Sequence, residues 1–124
     1  MKFDPERYYN IASQDKEFNR EIRYYDGTVK LIMGEDVFCL IVKEGKLISI
    51  TDKLSAECPA DTIFEGNDVQ WMNLLAKVPK PFYQCLQTTC VRHGMQMSND
   101  VKSLAYLPAW NQMTKMLREM LNDQ

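Results

Sequence analysis

The sequence predicts an α+β fold in which helices cover one face of an antiparallel β-sheet. Short apolar segments separated by Gly-containing turns occupy most of the first half of the chain, which is typical of a β-meander. Apolar residues at helical spacing dominate the second half. Strands followed by a group of helices favour a sheet that carries its helices on one side.

The first elements are a short helix and a strand. Asp4 before Pro5 has the pattern of an N-cap followed by a proline at the first helical position, which predicts a helix over 5–12. Residues 18–25 alternate with a period of two and contain aromatic side chains, which predicts a strand. The following Asp26-Gly27 is either a hairpin turn or a bulge within one longer strand.

The next segment continues the predicted meander. A buried strand over 37–42 lies between two turn signals, and a further strand over 47–50 follows the second turn. Residues 51–59 are polar and contain a proline, which indicates a loop, and residues 60–65 predict another strand.

The segment that begins at Asn67 carries the strongest local signal. Asn67 is a favourable N-cap, and Gln70 stands three residues later, where a capping box requires Glu or Gln. An apolar stripe at i, i+3, i+4 and i+7 follows: Trp71, Leu74, Leu75 and Val78. This stripe contains no reactive group, so it predicts packing of a helix on the sheet.

Prolines divide the remaining helical patterns. Pro79 and Pro81 end the helix, and a second helix is expected to start at Pro81. Residues 90–94 predict a last short strand or an extended piece, and 98–100 predict the cap of a short helix over 101–106. A longer helix opens at Pro108, with one apolar face: Trp110, Met113, Leu117, Met120 and Leu121.

Composition limits the function classes. With 124 residues, 45% of them hydrophobic and 26% charged, the chain has the composition of one globular domain, residues 1–124. A net charge of -2 gives nucleic acid no electrostatic basis for binding. The absence of an apolar run of ~20 residues excludes a membrane-spanning helix. Without a recognisable export signal, we expect a cytoplasmic protein.

Metal binding and catalysis have weak support in the sequence. Cys39, Cys58, Cys85 and Cys90 lack the paired spacing of structural zinc sites, and reduced thiols are expected. His93 is the one histidine, and no nucleophile, phosphate-loop or dinucleotide motif is present. We therefore predict no catalytic residues, no metal, no cofactor and no enzymatic activity.

The central region resembles the sterol carrier protein type two family. The matching pattern has a Gly-bearing turn, a loop, a strand that ends near a glycine, a polar cap, and an Asp-x-x-Trp helix with paired leucines. Its residues are Gly45, 60–64, Gly66, Asn67, Asp68, Trp71, Leu74 and Leu75. The resemblance extends over about 17–121, and the 18–31 and 79–94 segments resemble a short bacterial-type subgroup found beside or fused to α/β-hydrolases. Residues 98–107 are an additional segment, and the family's usual peroxisomal ending is missing.

The resemblance implies a five-stranded antiparallel sheet and an apolar tunnel between sheet and helices for a fatty acid, fatty acyl-CoA or sterol-like lipid. Burial of a sixteen-carbon chain gives roughly 10 kcal/mol before the cost of immobilisation, at ~0.8 kcal/mol per methylene. The residues expected to line the tunnel are Trp71, Leu75, Phe82, Leu86, Trp110, Met113, Leu117 and Met120.

An interaction module is the alternative. The apolar stripe of the last helix is also suited to packing against another protein, and Tyr24, Tyr25 and a strand edge are suited to an interface. In this interpretation the protein forms a homodimer, or associates with an enzyme such as an α/β-hydrolase, and has no ligand of its own.

Overall fold

The computed structural model describes residues 4–52, 60–83, 85–98 and 100–122. The strands in these ranges are β1 (Gly27–Met33), β2 (Asp36–Lys43), β3 (Lys46–Thr51), β4 (Thr62–Gly66) and β5 (Gln96–Met97). The helices are α1 (Pro5–Gln14), α2 (Lys16–Glu21), α3 (Asp68–Leu74), α4 (Leu86–His93), α5 (Val101–Leu104) and α6 (Leu107–Asn122). The α+β class predicted from the sequence is confirmed.

The five strands form one sheet in the order β3-β2-β1-β4-β5. Neighbouring strands are antiparallel except β1 and β4, which run parallel, with Val29 opposite Thr62 and Leu31 opposite Phe64. The sheet is therefore mixed, whereas a fully antiparallel one was expected. The chain leaves β3 at one edge and re-enters beside β1, and a parallel pair requires such a long crossover connection.

One face of the sheet shares a hydrophobic core with the helices. In β1, Val29, Leu31 and Met33 alternate with residues of the opposite face, and all three belong to the core. Side chains from α1, α2, α3, α4 and α6 pack into the same core. The helices thus cover the face on which a lipid tunnel was expected.

The strand predicted over 18–25 is wrong, because residues 16–21 form α2. Asp15 caps this helix by accepting a hydrogen bond from the backbone N–H of Phe18 at 2.8 Å. Phe18, Ile22 and Tyr25 are all fully buried, and their i, i+4, i+7 spacing is helical. A period of two would place Tyr24 on the same face as Phe18 and Ile22, yet Tyr24 is 78% exposed. The Asp-Gly pair at 26–27 precedes and begins β1 and is neither a hairpin turn nor a bulge.

Helix α3 begins as predicted and ends earlier. The Asn67 side chain accepts from the Gln70 N–H, and the Gln70 side chain accepts from the Asn67 N–H, both at 2.8 Å, so the capping box is confirmed. The helix ends at Leu74, four residues before Val78, which is 83% exposed. Val78 is therefore wrongly included in the predicted stripe.

Helix α4 replaces the predicted strand over 90–94. It begins at Leu86, later than the expected start at Pro81, and ends at His93, followed by the C-cap residue Gly94 in the left-handed conformation. A glycine at this position is a common helix stop, because it has no Cβ to oppose a φ of 80°. The last strand is the short β5, which pairs with β4.

The C-terminal elements agree with the predicted order. Asp100 caps α5 by accepting from the N–H of Ser103 at 2.7 Å, and α6 presents Trp110, Met113 and Leu117 to the core. Three predicted features lie outside the described residues: most of the loop predicted over 51–59, Cys58 within it, and the middle residue of the cap predicted at 98–100.

Candidate functional site

Seven of the eight residues predicted to line a tunnel are buried in the common core between sheet and helices. They are Trp71, Leu75, Leu86, Trp110, Met113, Leu117 and Met120. The two tryptophans are held by hydrogen bonds from their indole N–H groups. Trp71 donates to the carbonyl of Ile32 at 2.8 Å, and Trp110 donates to the carbonyl of Ser103 at 2.7 Å. The first bond fixes the Trp71 ring to β1, and the second fixes the Trp110 ring to α5.

Phe82 lies apart from that group. Its side chain is 42% exposed, and the guanidinium of Arg92 lies 4.4 Å from the centre of its ring. Its backbone has a φ of 68°, a conformation that costs a non-glycine residue roughly 1–2 kcal/mol. The carbonyl of Phe82 accepts a hydrogen bond from the Thr89 hydroxyl at 3.0 Å, which holds this segment on α4.

A chain of hydroxyl groups crosses the interior beside Trp110. Tyr25 and Thr62 are hydrogen-bonded at 2.8 Å, and Thr62 and Ser103 at 2.9 Å. Tyr25 also meets the Trp110 ring edge-to-face at 5.3 Å. Burial raises the pKa of Tyr25 to about 12. The three hydroxyl groups therefore satisfy one another's hydrogen bonds within an otherwise apolar region.

A cleft of about 770 Å³ opens between α1, the segment after α3 and the C-terminal half of α6. Its volume lies within the range of small-molecule pockets. Its lining residues are Ile11, Lys77, Lys115, Met116, Arg118, Glu119, Met120 and Asn122. Met120 belongs both to this lining and to the set predicted from the sequence. Two smaller clefts of about 480 Å³ each border the β3 side of the protein.

The cleft combines an apolar floor with a mainly cationic rim. Met116 and Met120 are buried members of the core, and Ile11 packs against that core from α1. Lys77 and Lys115 are exposed, and among the described residues of the lining Glu119 is the one acidic residue. The cleft therefore offers apolar side chains at its floor to an apolar chain, and cationic groups at its rim to a negatively charged end.

Arg118 connects the cleft to α3. Its guanidinium donates to the carbonyl of Leu74 at 2.6 and 3.1 Å and to the carbonyl of Tyr83 at 3.3 Å. Desolvation lowers the pKa of Arg118 from its usual range. Asn122 donates to the carbonyl of Leu75 at 2.7 Å. The end of α6 is thereby attached to the end of α3.

Four residues of the cleft were not predicted from the sequence as site residues: Ile11, Lys77, Lys115 and Met116. The spacing of Met116 and Met120 on one helix was a usable signal, because residues four apart share a helix face. No local signal brings Ile11 or Lys77 to that face, since they come from elements distant in sequence.

The thiols and the histidine have structural surroundings. Burial, with a smaller contribution from Cys85, raises the pKa of the Cys90 thiol to about 11, which opposes thiolate formation. The His93 ring stacks on Tyr83 with centroids 3.8 Å apart, and its Nε2 lies 3.1 Å from the Pro81 carbonyl oxygen. Among the described residues, no group of three potential metal ligands is found.

Comparison with solved structures identifies the fold. A crystal structure of sterol carrier protein 2 superposes with a TM-score of 0.72 at 14% identity, covering 92% of both chains. A conserved hypothetical protein from Thermus thermophilus, described as possibly a sterol carrier protein, gives a TM-score of 0.66 at 14% identity, covering 90% of this chain and 82% of its own. The ubiquinone synthesis protein UbiJ-SCP2 gives a TM-score of 0.57 at 9% identity, covering 90% and 87%.

These likenesses establish a sterol-carrier-protein fold, as the sequence resemblance implied. No protein-family model matches the sequence, and no curated protein matches it. In the described part of the chain, every helix is too short or too polar to cross a bilayer.

Proposed function

We propose that this protein binds a hydrophobic ligand, such as a fatty acid, a fatty acyl-CoA or a sterol-like lipid, and carries it without chemical change. The observation that carries this proposal is the cleft at the end of α6, where Met116 and Met120 form a floor continuous with the core. The sterol-carrier-protein fold supports it, because a sterol carrier protein and a ubiquinone synthesis protein share this architecture.

Entry of the ligand requires displacement of side chains rather than a preformed tunnel. Residues predicted as tunnel lining, including Met113 and Leu117, are fully buried in the core that α6 shares with the sheet. Methionine side chains are unbranched and adapt to ligands of different shape. We propose that an apolar chain enters at Met120 and extends toward Met113 as these side chains change rotamer.

The polar end of the ligand stays at the rim. Lys77 and Lys115 are exposed and carry no ion pair within the described structure. A carboxylate or phosphate between them would gain charge-assisted hydrogen bonds. This arrangement favours lipids with one anionic end over uncharged ones.

The surroundings of the possible nucleophiles support a non-catalytic role. The Cys90 thiol has a raised pKa, and the His93 Nε2 is directed to the Pro81 carbonyl instead of a nucleophile. A nucleophile activated by a neighbouring base is therefore not assembled from these two residues.

Displacement of a fluorescent fatty acid tests the proposal. We expect saturable binding to the purified protein, and native mass spectrometry is expected to show a co-purified lipid. Met120→Trp fills the cleft and is expected to weaken binding by about tenfold, equivalent to ~1.4 kcal/mol. Ile48→Trp, which adds the same ring at the clefts beside β3, is the matched control and is expected to bind normally.

The interaction-module alternative predicts a different result. A protein that only mediates assembly would carry no lipid and would show no saturable displacement. It would instead form a homodimer, or associate with an enzyme such as an α/β-hydrolase, as measured by light scattering. Equal lipid binding by Met120→Trp and the unmodified protein would remove the cleft from the proposal.

A further inference from the structure

We infer that the surface formed by α3, α4 and residues 75–83 between them docks on an anionic lipid bilayer. This inference rests on the proposed lipid-binding function, since it provides the bound lipid with a route to a membrane. Its basis is a separate set of residues from the floor of the cleft, so the two proposals can be tested independently.

Charge is distributed unevenly along the chain. Residues 69–99 contain no aspartate or glutamate, although the whole protein has 17 acidic residues and a net charge of -2. The same stretch contains Lys77, Lys80 and Arg92, all of them exposed. This quarter of the sequence is therefore the cationic part of an otherwise acidic protein.

Exposed apolar residues concentrate in the same stretch. Five of the nine large hydrophobic residues that the described structure leaves exposed belong to it: Val69, Met72, Val78, Phe82 and Val91. Val78 is 83% exposed and lies between Lys77 and Lys80. Apolar side chains flanked by lysines are typical of segments that insert into the interface of an anionic membrane.

These residues lie on adjoining elements. The side chain of Gln70 on α3 donates to the carbonyl of His93 at the end of α4, at 2.7 Å. The Phe82 carbonyl accepts from Thr89 of α4, and the Phe82 ring lies under Arg92. The cleft opens beside this surface, because Lys77 belongs to both.

A bilayer fits this surface better than a nucleic acid or a protein does. Three cations provide few phosphate contacts, and nucleic acid would leave the exposed valines in water. Lysine is depleted in protein–protein interfaces relative to the remaining surface. The surface beside β3 is unsuited to an anionic membrane, since Asp4, Glu6 and Asp52 line a cleft there.

Vesicle co-sedimentation tests the inference. We expect the protein to bind vesicles of phosphatidylcholine mixed with phosphatidylglycerol, to bind phosphatidylcholine alone more weakly, and to dissociate at high salt. Lys80→Gln is expected to lower the partition coefficient about fivefold, equivalent to ~1 kcal/mol. Val78→Asp is expected to lower it by about tenfold or more, because it removes an apolar contact and adds a negative charge.

Two matched variants act as controls. Lys46→Gln, at the first residue of β3, matches the charge change of Lys80→Gln. Val101→Asp, at a valine that is 86% exposed, matches Val78→Asp. Both are expected to sediment like the unmodified protein. Absence of binding to the anionic vesicles at low salt, or equal losses in the controls, would overturn the inference.

A displacement assay without vesicles separates this inference from the proposed function. Lys80 and Val78 do not line the cleft, so Lys80→Gln and Val78→Asp are expected to bind a fluorescent fatty acid normally. Loss of vesicle binding with intact fatty-acid binding supports the docking surface. Loss of fatty-acid binding in both variants would show that these residues support the ligand site, and it would overturn the separate docking role.

Discussion

The guanidinium of Arg118 on α6 donates two hydrogen bonds to one acceptor, the carbonyl oxygen of Leu74 at the end of α3. The last carbonyls of a helix have no partner within the helix and must be satisfied elsewhere. Here α6 supplies the partners, since Asn122 donates to Leu75 in the same way. The C-terminal part of α6, which forms one wall of the cleft, is thus attached to the end of α3.

Arg118→Met is expected to lower the free energy of unfolding by about 2 kcal/mol, because charge-assisted hydrogen bonds are lost and partly buried carbonyls stay unsatisfied. Urea denaturation measures the change. Arg20→Met is the control, since Arg20 is 66% exposed and its contact with Glu21 is a surface ion pair. An Arg118→Met protein as stable as the control would contradict this role.

Gly45 and Gly94 provide a matched pair for separating backbone strain from steric overlap. Both have φ near 80°, so alanine at either position costs roughly 1–2 kcal/mol. At Gly45 an added Cβ would also lie 2.1 Å from the backbone oxygen of Arg23, whereas at Gly94 its nearest neighbour is 3.6 Å away. We expect Gly45→Ala to be clearly less stable than Gly94→Ala in thermal unfolding. Equal melting temperatures would show that the Arg23 segment moves without cost.

Stability is expected to fall in alkaline solution because of Tyr25 and Tyr8. Burial raises the pKa of Tyr25 to about 12 and the pKa of Tyr8 well above its usual value of 10.0. The native state therefore keeps a phenolic proton that the unfolded chain releases. The contribution of the buried tyrosines to the free energy of unfolding is complete below about pH 10. It decreases as the pH rises from there to about 12, the pKa of folded Tyr25, with a slope of up to ~1.4 kcal/mol per pH unit per tyrosine.

Urea denaturation across this pH range, with tyrosine absorbance as a second readout, measures the effect. Tyr25→Phe is expected to lower stability at neutral pH, because the hydrogen bond to Thr62 is lost, and to reduce the alkaline slope. Tyr24→Phe, at an exposed position, is the control. An unchanged slope in Tyr25→Phe would mean that other groups cause the alkaline loss.

Trp71→Phe is expected to destabilise the protein by about 1–3 kcal/mol, since the buried carbonyl of Ile32 loses its indole donor and the smaller ring leaves a cavity. Chemical denaturation monitored by circular dichroism measures the loss. Because Trp71 lies away from the lining of the cleft, fatty-acid affinity of the folded variant is expected to stay unchanged. Stability equal to that of Tyr24→Phe would contradict the packing role of this indole.

Elements with complete local signals were predictable. The capping box at Asn67 and Gln70 needs only residues three apart, and α3 begins where these residues predict. The helix at 16–21 was mistaken for a strand because its apolar residues also fit a period of two over a short window. Burial of Phe18 and Ile22, with exposure of Tyr24, distinguishes the two periods and becomes visible only in the folded chain.

The cleft could not be predicted for a related reason. Ile11, Lys77 and Met120 come from three separate elements, and their proximity depends on how α1 and α6 pack together. The hydroxyl chain through Tyr25, Thr62 and Ser103 likewise joins residues far apart in sequence. Neither arrangement leaves a periodic pattern in the sequence.

Local patterns along the chain are enough to predict the α+β class, the strands that follow the Gly-containing turns, and the helix starts at Pro5 and Asp68. These features depend on hydrogen bonds and apolar spacing within a few residues. Packing in the folded chain sets the parallel pairing of β1 with β4, the end of α3 at Leu74 and the position of the cleft. Each of these depends on contacts between distant segments, which form only when the apolar faces of sheet and helices are buried together.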